Sequence, residues 1–133
     1  MLLDFDLVVP AGTLQSSPAV SHARLVKSTL VKVKAIFPPG PATLVHVVIK
    51  DRQFQIMPLN PEADLNLDDN FAEATMEYPI NDDPFTLDIY GWSPDAVYDH
   101  TITVQFDVIP PAQNTWQDFT SQLQALLMQQ PQS

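Results

Sequence analysis

His100-Thr101-Ile102-Thr103-Val104-Gln105-Phe106-Asp107-Val108 decides the fold class. His100, Ile102, Val104, Phe106 and Val108 fall on one face, while Thr101, Thr103, Gln105 and Asp107 fall on the other. That is the period-2 pattern of a strand with one buried and one wetted face. Working outward, the same period recurs in Phe5, Leu7 and Val9, and in Phe85, Leu87 and Ile89. It also appears in Leu30–Phe37, where Val31, Val33, Ala35 and Phe37 are expected inward and Lys32 and Lys34 outward. Thr43–Lys50 is almost continuously apolar, as expected of a strand covered on both faces. With Gln53–Ile56 after Asp51-Arg52, it predicts a hairpin over 43–57.

Thirteen prolines and only three glycines punctuate the chain. Proline cannot donate to a ladder, so prolines mark where strands are expected to stop. Pro10-Ala11-Gly12 and Pro38-Pro39-Gly40-Pro41 end two strands, 58–70 reads as a loop, and Thr75–Tyr78 is expected to be cut by Pro79. Val20–Leu25 is a weaker strand. About eight strands with turns at roughly 8–12-residue spacing predict an antiparallel β-sandwich or jelly roll over residues 1–110. After Pro110-Pro111 the period changes. Trp116, Phe119, Leu123, Leu126 and Leu127 form a helical stripe, capped by Asn114 or Thr115, so residues 111–133 are expected to hold one amphipathic C-terminal helix and a Gln-rich tail. The stripe must be buried on its own sheet or on a neighbouring subunit, because exposed it would aggregate.

With 133 residues and 45% apolar content, the chain is one domain with a real core. No apolar run approaches the roughly 20 residues of a membrane span. The acidic start Met1–Asp6 does not read as a signal peptide, and with no cysteine the expectation is folding in a cytosol. The net charge of −10 argues against nucleic acid as partner. Residues 1–52 carry all six basic residues and three acids, whereas 53–133 carry thirteen acids and no Lys or Arg. This split predicts either a solvated acidic face or a dipolar molecule, unless the two halves interleave.

Chemistry-bearing patterns are weak. Asp64-x-Asn66-x-Asp68 begins like a calcium loop, but Asp69 stands where glycine is needed and Thr75 where the bidentate acid belongs. His22, His46 and His100 lie on three different strands without ligand spacing. Ser93 in Gly91-Trp92-Ser93-Pro94 lacks the second glycine of a nucleophile elbow and reads as a turn. No cofactor, metal site or catalytic residue is expected. Tyr90, Trp92 and Tyr98 flank one loop and form the alternative ligand surface, a sugar-stacking platform.

Phe37-Pro38-Pro39-Gly40, Leu44-Val45-His46-Val47, Pro58 with Asn60, Gly91-Trp92 and Asp99-His100-Thr101-Ile102 cover about half the chain. In these elements the chain resembles small β-sandwich structural proteins of tailed bacteriophages and prophages. The resemblance implies a non-enzymatic virion component assembled in the host bacterial cytoplasm. Its leading form is a capsid decoration (cement) protein, and the alternative is a small tail or adaptor subunit. The implied partners are a major capsid or tail protein and further copies of the chain, in a homo-oligomer such as a trimer. The expected interface residues are Phe5, Leu7, Lys32, Lys34, Trp116, Phe119, Leu123, Leu126 and Leu127. A carbohydrate- or ligand-binding module is the reading from another class.

Overall fold

The computed structural model describes residues 1–111 and Gln124. Within them the chain forms eight strands: β1 (Leu2–Val9), β2 (Ala19–Arg24), β3 (Ser28–Phe37), β4 (His46–Asp51), β5 (Phe54–Met57), β6 (Asn70–Ile80), β7 (Thr86–Trp92) and β8 (His100–Ile109). They make two four-stranded sheets, ordered β1-β8-β3-β6 and β2-β7-β4-β5, and all pairings are antiparallel. The pairs β1–β8, β2–β7, β3–β6 and β4–β5 trace one long ribbon whose tip is the Asp51–Phe54 hairpin. Wrapping that ribbon brings β8 against β3 and β7 against β4, which makes the sandwich a jelly roll. The expected C-terminal helix, with Trp116, Phe119, Leu123, Leu126 and Leu127, lies outside the described residues.

The strand His100–Ile109 sits in the middle of its sheet, between β1 and β3. Ile102, Val104, Phe106 and Val108 are each fully buried, so the alternation of the sequence is the alternation of the core. They meet Leu30, Val33, Ala35 and Phe37 of β3, and across the sandwich Val47 and Ile49 of β4 and Leu87 and Ile89 of β7.

Three local expectations change. A bulge between Leu30 and Lys32 shifts the β3 register, so Leu30 is buried and Val31 is only half-buried. Pro79 does not end its strand: β6 runs eleven residues, Asn70–Ile80, and includes it. That is tolerated because β6 is an edge strand, where a missing N–H donor breaks no ladder. The strand also begins five residues earlier than the alternation from Thr75 indicated.

The ribbon also settles the charge split. Each strand of the first half lies beside strands of the second half. Lys32 of β3 pairs with Glu73 of β6 at 3.5 Å. Lys50 of β4 stands opposite Asp88 of β7, and Asp88 also holds His22 of β2 at 2.6 Å. The two halves interleave, and the lopsided sequence does not become two opposed poles on the sheets.

Gly91 is required by packing. A Cβ there would lie 2.7 Å from Leu7 Cδ2 and 2.7 Å from Val9 Cγ2, so β7 approaches β1 more closely than any side chain permits. Gly91→Ala is expected to destabilise the domain by about 1–3 kcal/mol, as overpacking does. Urea denaturation checks this; an unchanged midpoint would show that β1 and β7 are not packed this way.

Candidate functional site

The two long sides of the sandwich differ. On one, β1 packs against β2 and β7. On the other, the edge strands β6 and β5 flank an apolar cleft of about 390 Å³ lined by Phe54, Ile56, Met57, Leu59, Met76 and Tyr78, among others. The mismatch in length makes the cleft: β5 has four residues and β6 eleven. Phe54 remains 56% and Leu59 71% exposed at its rim. Only one end is bridged. The Phe54 and Tyr78 rings lie almost parallel, 4° apart with centroids at 6.1 Å. Beyond them the Tyr78 hydroxyl donates to Asp51 Oδ2 at 2.6 Å, linking one sheet to the other. Burial, then the hydrogen bond to Asp51 and its negative charge, push the Tyr78 phenol up to about 12.

A second concavity lies on the outer face of the β2-β7-β4-β5 sheet. Tyr90 and Trp92 are two apart on β7 and therefore point to the same face. Tyr90 stands between Val48 of β4 and Val20 of β2. Trp92 stacks on His46, with centroids 5.7 Å apart and planes 14° apart. The loop after β5 forms one wall. Gln55, almost fully buried, donates through Nε2 to the carbonyls of Pro58, Asn60 and Ala63, at 2.7, 2.9 and 3.1 Å. Reciprocal backbone bonds between Leu65 and Val47 pin the far end of that loop. Gln15 and Pro18, and Arg52 and Gln53 of the hairpin tip, also line this open hollow of about 530 Å³. Burial and the neighbouring Asp88 raise the Tyr90 phenol above its ordinary range.

The sequence-predicted residues are distributed differently. Tyr90 and Trp92 share the hollow, whereas Tyr98 is 73% exposed and does not line it. Leu7 is buried in the core, and Phe5 is half-buried, its ring 5.8 Å from that of Phe106. Both therefore pack within this domain. Lys32 is held by Glu73, and the Lys34 ammonium lies 4.1 Å from the centre of the Phe71 ring. Asp64 binds His46 and Asn66, and Asp68 accepts the amides of Gly40 and Ala42, so the calcium-like spacing serves loop geometry. Ser93 is fully buried, with its hydroxyl on the Pro10 carbonyl. Phe54 and Leu59 were not singled out from sequence. Their exposure follows from β5 and β6 being edges of different sheets, which no local pattern encodes.

The Tyr78 phenol titrates near 12, above its ordinary value of 10.0, so the folded state favours the protonated form. Its contribution is complete below pH 10 and is lost as pH rises through 12. Tyr78→Phe is expected to lose less stability across that window in urea titrations than the parent chain does, and identical profiles would refute the link. Against known proteins, no family model and no curated protein matches the chain. Among solved structures it is similar to a chain from the X-ray structure of tomato aspermy virus, with a TM-score of 0.39 and 16% identity, covering 84% of this chain and 80% of that one. It is also similar to FlhE, known from its crystal structure, with a TM-score of 0.41 and 14% identity, covering 82% and 97%.

Proposed function

We propose that this chain is a non-enzymatic structural subunit of a virion. Its leading form is a capsid decoration protein that packs against a capsid or tail protein and against its own copies. The observation that carries the protein-contact reading is the open side of the sandwich. There Phe54 and Leu59 stand more than half exposed beside an apolar cleft that residues of β6 also line, and among the described residues no strand pairs with the outer edge of β6. Exposed apolar surface of this kind marks interaction sites. An edge strand of eleven residues is a template for further pairing, and charged residues on it such as Glu73 and Glu77 limit indiscriminate use of it.

Two further points support the virion assignment. The jelly roll is an architecture that viral capsid domains use, although fold alone does not assign function. Two pairs among the residues that carry the phage resemblance also meet in space. Gly40 lies against the His100 ring, and Trp92 lies on His46. The polar groups around them hold turns and loops, as Ser93, Gln55 and Asp68 illustrate.

Phe54→Glu and Leu59→Glu, each at an exposed position, are expected to abolish self-association in light scattering. They are also expected to abolish retention on particles assembled with the tagged chain, while leaving the thermal midpoint nearly unchanged. Val97→Glu, at a position 78% exposed but away from the cleft, serves as the control. If all three variants assemble like the parent chain, the open side is not the working surface.

A further inference from the structure

The hollow over Tyr90 takes no part in the contact surface proposed above, and its construction calls for an account of its own. Its wall is built, not incidental: the buried Gln55 amide clamps three carbonyls of the 58–63 loop and the Leu65–Val47 bonds anchor the next turn. A volume of about 530 Å³ falls within the span of roughly 300–1,000 Å³ typical of small-ligand sites.

The lining specifies what would fit. Lys50, Arg52, Glu62 and Asp64 all line the hollow, two charges of each sign, with Arg52 already paired to Asp51 at 2.9 Å, so the lining carries no excess of either charge. The amides of Gln15 and Gln53 and the Glu62 carboxylate make no side-chain hydrogen bond or ion pair among the described residues, while the Lys50 ammonium lies 5.6 Å from the centre of the Tyr90 ring, at the edge of the floor. Asp64, which also lines the hollow, is engaged through Oδ1 by His46 and Asn66. Donors and acceptors thus ring a floor made by Tyr90 and Val48. A phosphate or polyanion would meet the two carboxylates, and a purely apolar ligand would leave the polar ring without partners. A ligand suited to this lining is neutral, carries hydroxyls that both donate and accept, and offers a flat C–H face to an aromatic ring.

We infer that the outer face of the β2-β7-β4-β5 sheet is a saccharide-binding site, with Tyr90 as the stacking floor and Glu62, Gln53 and Lys50 as hydroxyl partners. Trp92 is nearly buried against His46 and acts as a side wall that sets the width of the floor. Tyr98 has no part in it.

The test is saturation-transfer NMR on the full chain with a panel of glucose, galactose, N-acetylglucosamine and their β-linked disaccharides. At least one sugar is expected to give a saturable signal whose strongest protons belong to one ring face. Tyr90→Ala and Glu62→Gln should each weaken it roughly tenfold, about the worth of one aromatic stack or one charged hydrogen bond. Glu62 is exposed, so its variant keeps the fold even if Tyr90→Ala does not. Phe54→Glu should leave sugar binding unchanged, which separates this site from the contact surface. No saturable signal from any sugar, or a signal indifferent to Glu62→Gln, would overturn the assignment.

Discussion

The pairing of β1 with β8 is the constraint on which the rest of the fold depends. It joins residues about one hundred positions apart, in an unbroken register from Leu2 opposite Asp107 to Val9 opposite His100. Such a ladder forms only after a long loop has closed, a cost that rises slowly with length but must precede the contacts that offset it. Once β8 is placed it contributes Ile102, Val104, Phe106 and Val108 to the core and offers its other edge to β3. The wrapping of the whole ribbon follows, including the close passage of Gly91 under Leu7 and Val9.

That wrapping explains why charge did not follow the order of the chain. Basic residues concentrate before the ribbon's tip and acids after it, so folding the ribbon lays each basic strand beside an acidic one. Lys32 with Glu73, and Lys50 opposite Asp88, are the local results. Of these juxtapositions, Lys32–Glu73 is an ion pair, and at its exposure it is worth at most about 1 kcal/mol. Their value lies in matching sheet neighbours. The two concavities arise from the same geometry: the cleft forms where the ribbon's short tip strand fails to cover β6, and the hollow forms where the chain after that tip strand doubles back over the sheet.

Much of the scaffold was legible in the sequence. Alternation from His100 to Val108 specified a half-buried strand, and Ile102, Val104, Phe106 and Val108 are buried as expected while His100, at the strand's start, is only half-buried. Proline was a less faithful guide, because its effect depends on whether a strand is central or at an edge, and Pro79 sits at an edge. The β3 bulge escaped notice since Leu30, Val31 and Val33 are all apolar, and the pattern there permits either register. Nearness in sequence grouped Tyr90, Trp92 and Tyr98 around one loop; in the fold Tyr90 and Trp92 share a face of β7, and Tyr98 stands exposed in the loop that follows. Phe54 and Leu59 could not be found this way. Their solvent exposure depends on which strand comes to lie opposite, a property of topology alone.

The β1–β8 ladder has a mechanical consequence. Because the two strands are antiparallel, Leu2 and Asp107 lie at the same end of the sheet, and the Met1 amine reaches the Val108 carbonyl. A force separating the N-terminus from the chain beyond Ile109 would load one hydrogen-bonded rung at a time, peeling the ladder like a zipper. Sheared ladders share the load among all their rungs; this one does not. Tension applied between these two points would open the β1–β8 seam first. Tension applied between the hairpin tip and either end would be carried along the ribbon's length.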